Sequence, residues 1–244
     1  MVVYKEVPEH LKTSIWKRIL TSIFRWLFWS VVIFVVSSVV LVFIYKYVPP
    51  FITPFMVIRS VEGMFTGKNV SITKSWVSYD EISDNIKRAV IFSEDKRYLQ
   101  HDGFDWKAIS AAKKYNERMK GKRVIGASTI SMQTSKNVFL WHGRNYLRKG
   151  LEAYFTVLIE AVWGKERILE VYLNIIEWGE GIYGVEAASE YYFKKSAKNL
   201  TVREAGALAA IVPNPRKWSA ANPTSYVKKR TSLISSQLKR IKIP

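Results

Sequence analysis

Apolar positions fall into two patterns along this chain. From Trp26 to Tyr45 the sequence reads WLFWSVVIFVVSSVVLVFIY without a charge. Twenty helical residues at ~1.5 Å each cross a hydrocarbon core of ~30 Å, so this run predicts a membrane-spanning helix. It exceeds the ~7–15 apolar residues of a signal peptide, and no small-residue cleavage site follows it. Pro49-Pro50 and Pro54 are expected to stop the helix and begin a stiff linker. Residues 60–79 hold Gly63, Gly67, Val70, Ile72, Trp76 and Val77, which suits a short strand or an irregular lead-in. Beyond them the apolar period becomes helical. Ile82, Ile86, Ala89 and Val90 share one face, Ser78 with Glu81 can form a capping box ahead of it, and the helix ends at Glu94. Further helices are predicted over 105–120, 128–140, 144–163, 166–176 and 185–193. Thr201 and Glu204 match a capping box opening another, which stops at Pro213-Asn214-Pro215. The outer domain is therefore expected to be mainly α. The boundaries read 1–25 for an N-terminal segment, 26–46 for the span, 47–80 for the linker and 81–244 for one catalytic domain.

Charge adds an orientation and a class of partner. Lys and Arg number 38 against 20 Asp and Glu, for a net +18 over 244 residues, so the surface attracts polyanions, with nucleic acid, anionic lipid or a phosphorylated substrate as candidate partners. Lys5, Lys12, Lys17, Arg18 and Arg25 precede the span while Lys46 alone follows closely. That bias places the N-terminus in the cytoplasm and the rest outside. Trp26, Trp29, Tyr45 and Tyr47 sit near the ends of the span, where amphipathic rings favour headgroups. With no Cys, disulfides and thiolate metal sites are impossible. His10, His101 and His142 have no metal-ligand spacing.

Several residues can do chemistry. Glu94-Asp95 ends an apolar helix before Tyr98, His101 and Gly103; a carboxylate against apolar walls can act as general acid or base, although such a pair also serves as a solvated helix end. Gly126-Ala127-Ser128-Thr129 opens a helix whose free N–H groups can hold a phosphate, or Ser128 is an ordinary N-cap. Lys136 lies two turns on, close to the same face. Arg148 and Lys149 share a face with Glu152, either to grip a diphosphate or as a solvated salt bridge contributing a few tenths of a kcal/mol. Leu147, Leu151, Tyr154, Phe155, Leu158 and Val162 are expected to form the core stripe on the opposite side. Val138-Phe139-Leu140-Trp141 is either core or a segment dipping into the membrane surface. The SxxK pattern recurs at Ser14, Ser71, Ser93, Ser110, Ser225 and Ser236 and carries no information; Ser83-Asp84-Asn85 lacks a following Lys-Thr-Gly, which excludes a transpeptidase.

Five segments occur in a fixed order: EDKRYLQHDG at 94–103, GASTISMQTSKN at 126–137, RKGLE at 148–152, KERILEVYLN at 165–174 and GIYGVEAASEYYFKK at 181–195. Together they resemble the motifs of the peptidoglycan glycosyltransferase family, over about residues 82–215. The resemblance implies a lysozyme-like, two-lobed, mostly helical domain that polymerises lipid II into β-1,4-linked glycan by inverting transfer, releasing undecaprenyl diphosphate. It implies Glu94 as general base and Glu152 as a second catalytic carboxylate. Lys136, Arg148 and Lys149 would stabilise the diphosphate, and Asp95, Ser128, Thr129, Gln133, Tyr172 and Asn174 would shape the substrate cleft. No metal is expected on protein ligands, with a divalent cation (Mg or Mn) at the substrate diphosphate as the only cofactor. The implied partners are lipid II, the growing glycan, the cytoplasmic membrane and other cell-wall synthesis proteins, and no nucleic acid. Tyr98 stands where the family usually has Phe, Ala127 where a second Gly is usual, and Met132 where Gln is usual. A glycan-cleaving lysozyme-like enzyme and a polybasic membrane scaffold are the competing readings.

Overall fold

The computed structural model describes residues 9–65, 72–120, 122, 124–143 and 145–244, with side chains from Trp16 onward. The side chains of Lys5, His10, Lys12 and Ser14, and the residues Gly67, Val70, Ser71 and Arg144, lie outside the described residues. The chain divides into two compact units, residues 1–44 and 45–244.

Most of the first unit is helix α1, Glu9–Tyr47, which starts well before the uncharged run. Its stretch Trp16–Tyr47 is long and apolar enough to cross a membrane, which is compatible with an anchor. The second unit is mainly helical. Helix α2 covers Pro54–Phe65, strand β1 Thr73–Lys74 and helix α3 Asp84–Glu94. Helices α4 (Trp106–Arg118), α5 (Ile130–Phe139), α6 (Tyr146–Val162) and α7 (Gly164–Ile175) follow. Strands β2 (Glu177–Gly179) and β3 (Ile182–Tyr183) then lead to α8 (Val185–Phe193), α9 (Val202–Ile211) and α10 (Ser225–Gln237). The three strands form one small sheet in the order β1-β3-β2, with β3 parallel to β1 and antiparallel to β2.

Several expectations are corrected. Pro54 opens α2 instead of extending a linker, because its fixed φ suits a first helical position. Ser78 makes no side-chain cap. The N-cap of α3 is Ser83, whose hydroxyl accepts from Asn85 N at 3.2 Å. The cap of α5 is Thr129 and not Ser128, since only Thr129 is turned inward to accept from Met132 N at 3.1 Å. The capping box of Thr201 and Glu204 is formed as expected.

Two helical groups make the core. In one, α3 packs on α9 and α10; in the other, α5 packs on α6 and α7. Ile86, Ala89 and Val90 of α3 are buried, as are Ile168, Leu169 and Tyr172 of α7. Phe139 stacks on Phe155 with ring centroids 4.4 Å apart, and Val138 and Leu140 are buried, so this run is core while Trp141 remains 37% exposed. The expected stripe on α6 is wrong for Leu147, which is 70% exposed. The buried face of α6 carries Arg148, Glu152, Phe155, Thr156 and Ile159. This face turns inward because it packs on α5, where Thr156 Oγ1 meets Ser135 Oγ at 3.3 Å.

The sheet is joined to α7 by a close approach. Asn174 donates to Val77 O at 2.9 Å and accepts from Val77 N at 3.0 Å. At Gly184 φ is +85°, and a Cβ would stand 2.9 Å from Ser75 O, so only glycine fits. Tyr98 uses the hydroxyl that distinguishes it from Phe: buried, it donates to Lys165 O at 2.6 Å. Met132 is buried, and its backbone N–H donates to Thr129 Oγ1 at 3.1 Å.

Candidate active site

Helix α3 ends at Glu94 and delivers its carboxylate to a cavity of about 590 Å³. The chain from Phe92 to Arg97, Asp105, one face of α4 (Ala108, Ala112, Tyr115) and residues 125–129 line this cavity. Both oxygens of Glu94 are accounted for. Gln133 Nε2 donates to Oε2 at 3.2 Å, and Ser93 Oγ donates to Oε1 at 3.3 Å. Arg230 Nη2, from α10, lies 3.8 Å from Oε1. Tyr172 donates its hydroxyl to Gln133 Oε1 at 3.2 Å, which points the Gln133 amide nitrogen at Glu94. Burial pushes the Glu94 carboxyl above the usual carboxylate range; the Gln133 hydrogen bond and the Arg230 charge pull it back, and Asp95 pushes it up. A carboxyl group raised in this way is suited to take a proton.

Asp95 is committed to the fold. It accepts from Ile130 N at 3.1 Å, at the start of α5, and its two oxygens lie 3.0 and 3.1 Å from His101 Nε2. Thr129 is buried and donates to Gly103 O at 2.6 Å, while Ser128 is exposed on the cavity rim. Tyr172 and Asn174 are both fully buried. Asn174 spends its amide on Val77, and Tyr172 reaches Glu94 through Gln133.

Helices α5 and α6 together carry a second cluster. Lys136 follows Gln133 by one turn, a rise of roughly 4.5 Å. Burial lowers the Lys136 pKa; Glu152 opposes the shift, and Arg148 and Lys149 add to it, which places these four charges in one neighbourhood. Arg148 Nη1 donates to Glu152 Oε2 at 2.6 Å and Arg148 Nε to Gly143 O at 2.7 Å, while Lys149 Nζ pairs with Glu152 Oε1. Glu152 is 3% exposed and Arg148 8%, so the solvated salt bridge admitted by the spacing is a buried one. Arg148 and Lys149 line an opening of about 530 Å³ with Asn145 and Tyr146. Three cations against one carboxylate leave two positive charges, the charge complement of a diphosphate diester. A cavity of about 1090 Å³ lies between α9 and α10, and none of the expected site residues lines it.

Sequence reasoning missed Arg230. It stands outside the five motif segments, on a helix with no distinctive chemistry, and only the packing of α10 on α3 brings it to Glu94.

A family model described as transglycosylase matches residues 62–239. A biosynthetic peptidoglycan transglycosylase of Pseudomonas fluorescens is 53% identical over 208 residues, covering 85% of this chain and 86% of the relative. One from Pseudomonas syringae is 49% identical over 222 residues, with 91% and 93% covered. One from Bdellovibrio bacteriovorus is 53% identical over 203 residues, with 83% and 80% covered. A family match over most of the catalytic unit, with full-length relatives at this identity, means that the chain belongs to the transglycosylase family.

Proposed function

We propose that this transglycosylase polymerises lipid II into the β-1,4-linked glycan of peptidoglycan, by inverting transfer with release of undecaprenyl diphosphate. The observation that carries the reading is a part-buried Glu94 of raised pKa held by Gln133, a residue that stands one turn of α5 before Lys136 and its cluster of three cations. The acceptor sugar hydroxyl gives its proton to Glu94 as its oxygen bonds to the donor anomeric carbon. The bond from that carbon to the diphosphate breaks, and its electron pair leaves with the diphosphate. Lys136, Arg148 and Lys149 stabilise the departing charge, while Glu152 orients the last two. Ser128 and Thr129 shape the rim, Asp95 fixes the start of α5, and Asn174 holds the residue 77 segment.

Hydrolysis by a lysozyme-like mechanism fits less well. That chemistry uses two working carboxyl groups, one of which protonates a sugar leaving group. Here Glu152 is spent on two cations and Asp95 on a backbone N–H and His101. A diphosphate, by contrast, leaves without being protonated. Among the described residues no group of three or more His, Cys, Asp and Glu is placed to hold a metal. A Mg or Mn ion that assists the reaction would ride on the substrate diphosphate. For topology, the basic residues before the span set the N-terminus in the cytoplasm and the catalytic unit on the outer face, the periplasm where an outer membrane exists. Lipid II, the growing glycan and the membrane are then the partners, with other cell-wall synthesis proteins beside them. The purified protein given lipid II should form long glycan, and Glu94→Gln should lower turnover by ~10²–10⁴. Wild-type turnover in Glu94→Gln would reject Glu94 as the base, and shortening of preformed glycan without synthesis would reject the reading as a whole.

A further inference from the structure

Glu94 faces a second charged residue that the motifs do not contain. Arg230 approaches Glu94 Oε1 at 3.8 Å, a distance for charge attraction and too long for a hydrogen bond. Its side chain is 25% exposed, and its Nε is buried without a hydrogen-bond partner. A buried donor left unmet is unfavourable, so hydrogen bonding alone does not account for the guanidinium at this point. Its place is fixed from a distance. Thr224 caps α10, and α10 crosses α9 so closely that a Cβ on Gly206 would stand 3.1 Å from Thr231 O.

We propose that Arg230 is a positioning residue for glycosyl transfer: it steadies the Oε1 side of the Glu94 carboxylate while Gln133 steadies the other, keeping that carboxylate ready to accept the acceptor hydroxyl's proton. This rests on Glu94 being the base. The groups that face Glu94 are Arg230 from α10, Gln133 from α5, Tyr172 from α7, and Ser93 and Asp95 beside it in the chain; Lys96, Arg97 and Asp105 lie on the cavity wall. Arg230 is the cation among them that lowers the Glu94 pKa against burial and Asp95. Without Arg230, Glu94 therefore holds its proton to a higher pH, and the base is lost on the acid side first. Neither Gln133 nor Tyr172 can substitute, because neither is a cation.

The test is lipid II polymerisation by the full chain in detergent, with kcat and KM followed across pH for wild type, Arg230→Lys, Arg230→Gln and Glu94→Gln. Thermal unfolding identifies the variants that fold. The acid limb of the kcat/KM profile should move to higher pH in the order wild type, Lys, Gln. In Arg230→Gln, activity on that limb should fall roughly tenfold for each unit moved, recover toward the alkaline side, and leave KM little changed. If Gln does not fold, the smaller upward movement in Lys, whose shorter ammonium stands back from Oε1, decides the matter. An unmoved limb in every folded Arg230 variant overturns the proposal, including the case of a uniform loss at all pH. Inactive Glu94→Gln with unmoved Arg230 variants rejects this inference alone; active Glu94→Gln rejects the base and this inference with it.

Discussion

Replacing Glu152 with Gln separates two accounts of the same three residues. Spacing on a helix surface admits a solvated pair contributing roughly 0.2–0.5 kcal/mol. The structure instead encloses the Glu152 carboxylate at 3% exposure and pairs it with an Arg148 that is 8% exposed. Removing one partner of a buried pair leaves the other charge uncompensated, at a cost of about 3–5 kcal/mol. Gln retains an acceptor for Arg148 Nη1, which puts the expectation at the lower end, about 3 kcal/mol. Lys149, with 46% of its side chain exposed, turns to water and adds little. For a unit of this size about 1 kcal/mol shifts Tm by ~2–4 °C, so Glu152→Gln should unfold roughly 6–12 °C below wild type. Thermal unfolding of the detergent-purified protein measures this directly. The double substitution Arg148→Met with Glu152→Leu should be no worse than Glu152→Gln, because neither charge is then left buried alone. A fall of less than ~2 °C in Glu152→Gln would refute the buried pair and restore the solvated one.

Glu94→Gln should also change stability, with a sign set by burial. The folded pKa of Glu94 is raised, so the stability gained from its protonated form is complete below the unfolded value of ~4.3 and lost as pH rises through the folded value. At neutral pH the wild type carries a part-buried carboxylate that Gln lacks. Tm of Glu94→Gln should therefore exceed wild type near neutrality, with the gap closing as pH falls toward ~4; a gap that is independent of pH would contradict the assignment of burial as the cause. Gly206→Ala places a Cβ 2.3 Å from Ser235 Oγ and 3.1 Å from Thr231 O, overpacking that costs ~1–3 kcal/mol. Calorimetry should show the loss, and adding Ser235→Ala should recover part of it; no recovery would mean that the crossing of α9 and α10 tolerates the methyl by another route.

The local chemistry of the chain settled its local structure. The uncharged run gave a helix, Val185–Phe193 forms with the predicted ends, and the box of Thr201 and Glu204 caps α9, because each depends on residues within one or two turns. The order of the motif residues likewise announced the family, and Glu94, Lys136, Arg148 and Glu152 were visible as chemistry-bearing residues before any coordinates. Their environment was not visible. Whether a face carrying Arg148 and Glu152 meets water or α5 depends on which helix lies against it, and helical periodicity alone chose the wrong stripe through Leu147. Ser78 and Ser83 offer the same hydroxyl to a cap, as do Ser128 and Thr129; tertiary packing chose Ser83 and Thr129. Arg230 shows the limit most plainly, since more than a hundred residues separate it from Glu94 and only the packing of α10 brings the guanidinium to the carboxylate. Hydrogen bonds within a turn are written in adjacent residues. The dielectric around a charge, and the identity of the charge opposite it, are set by chain segments far away in sequence.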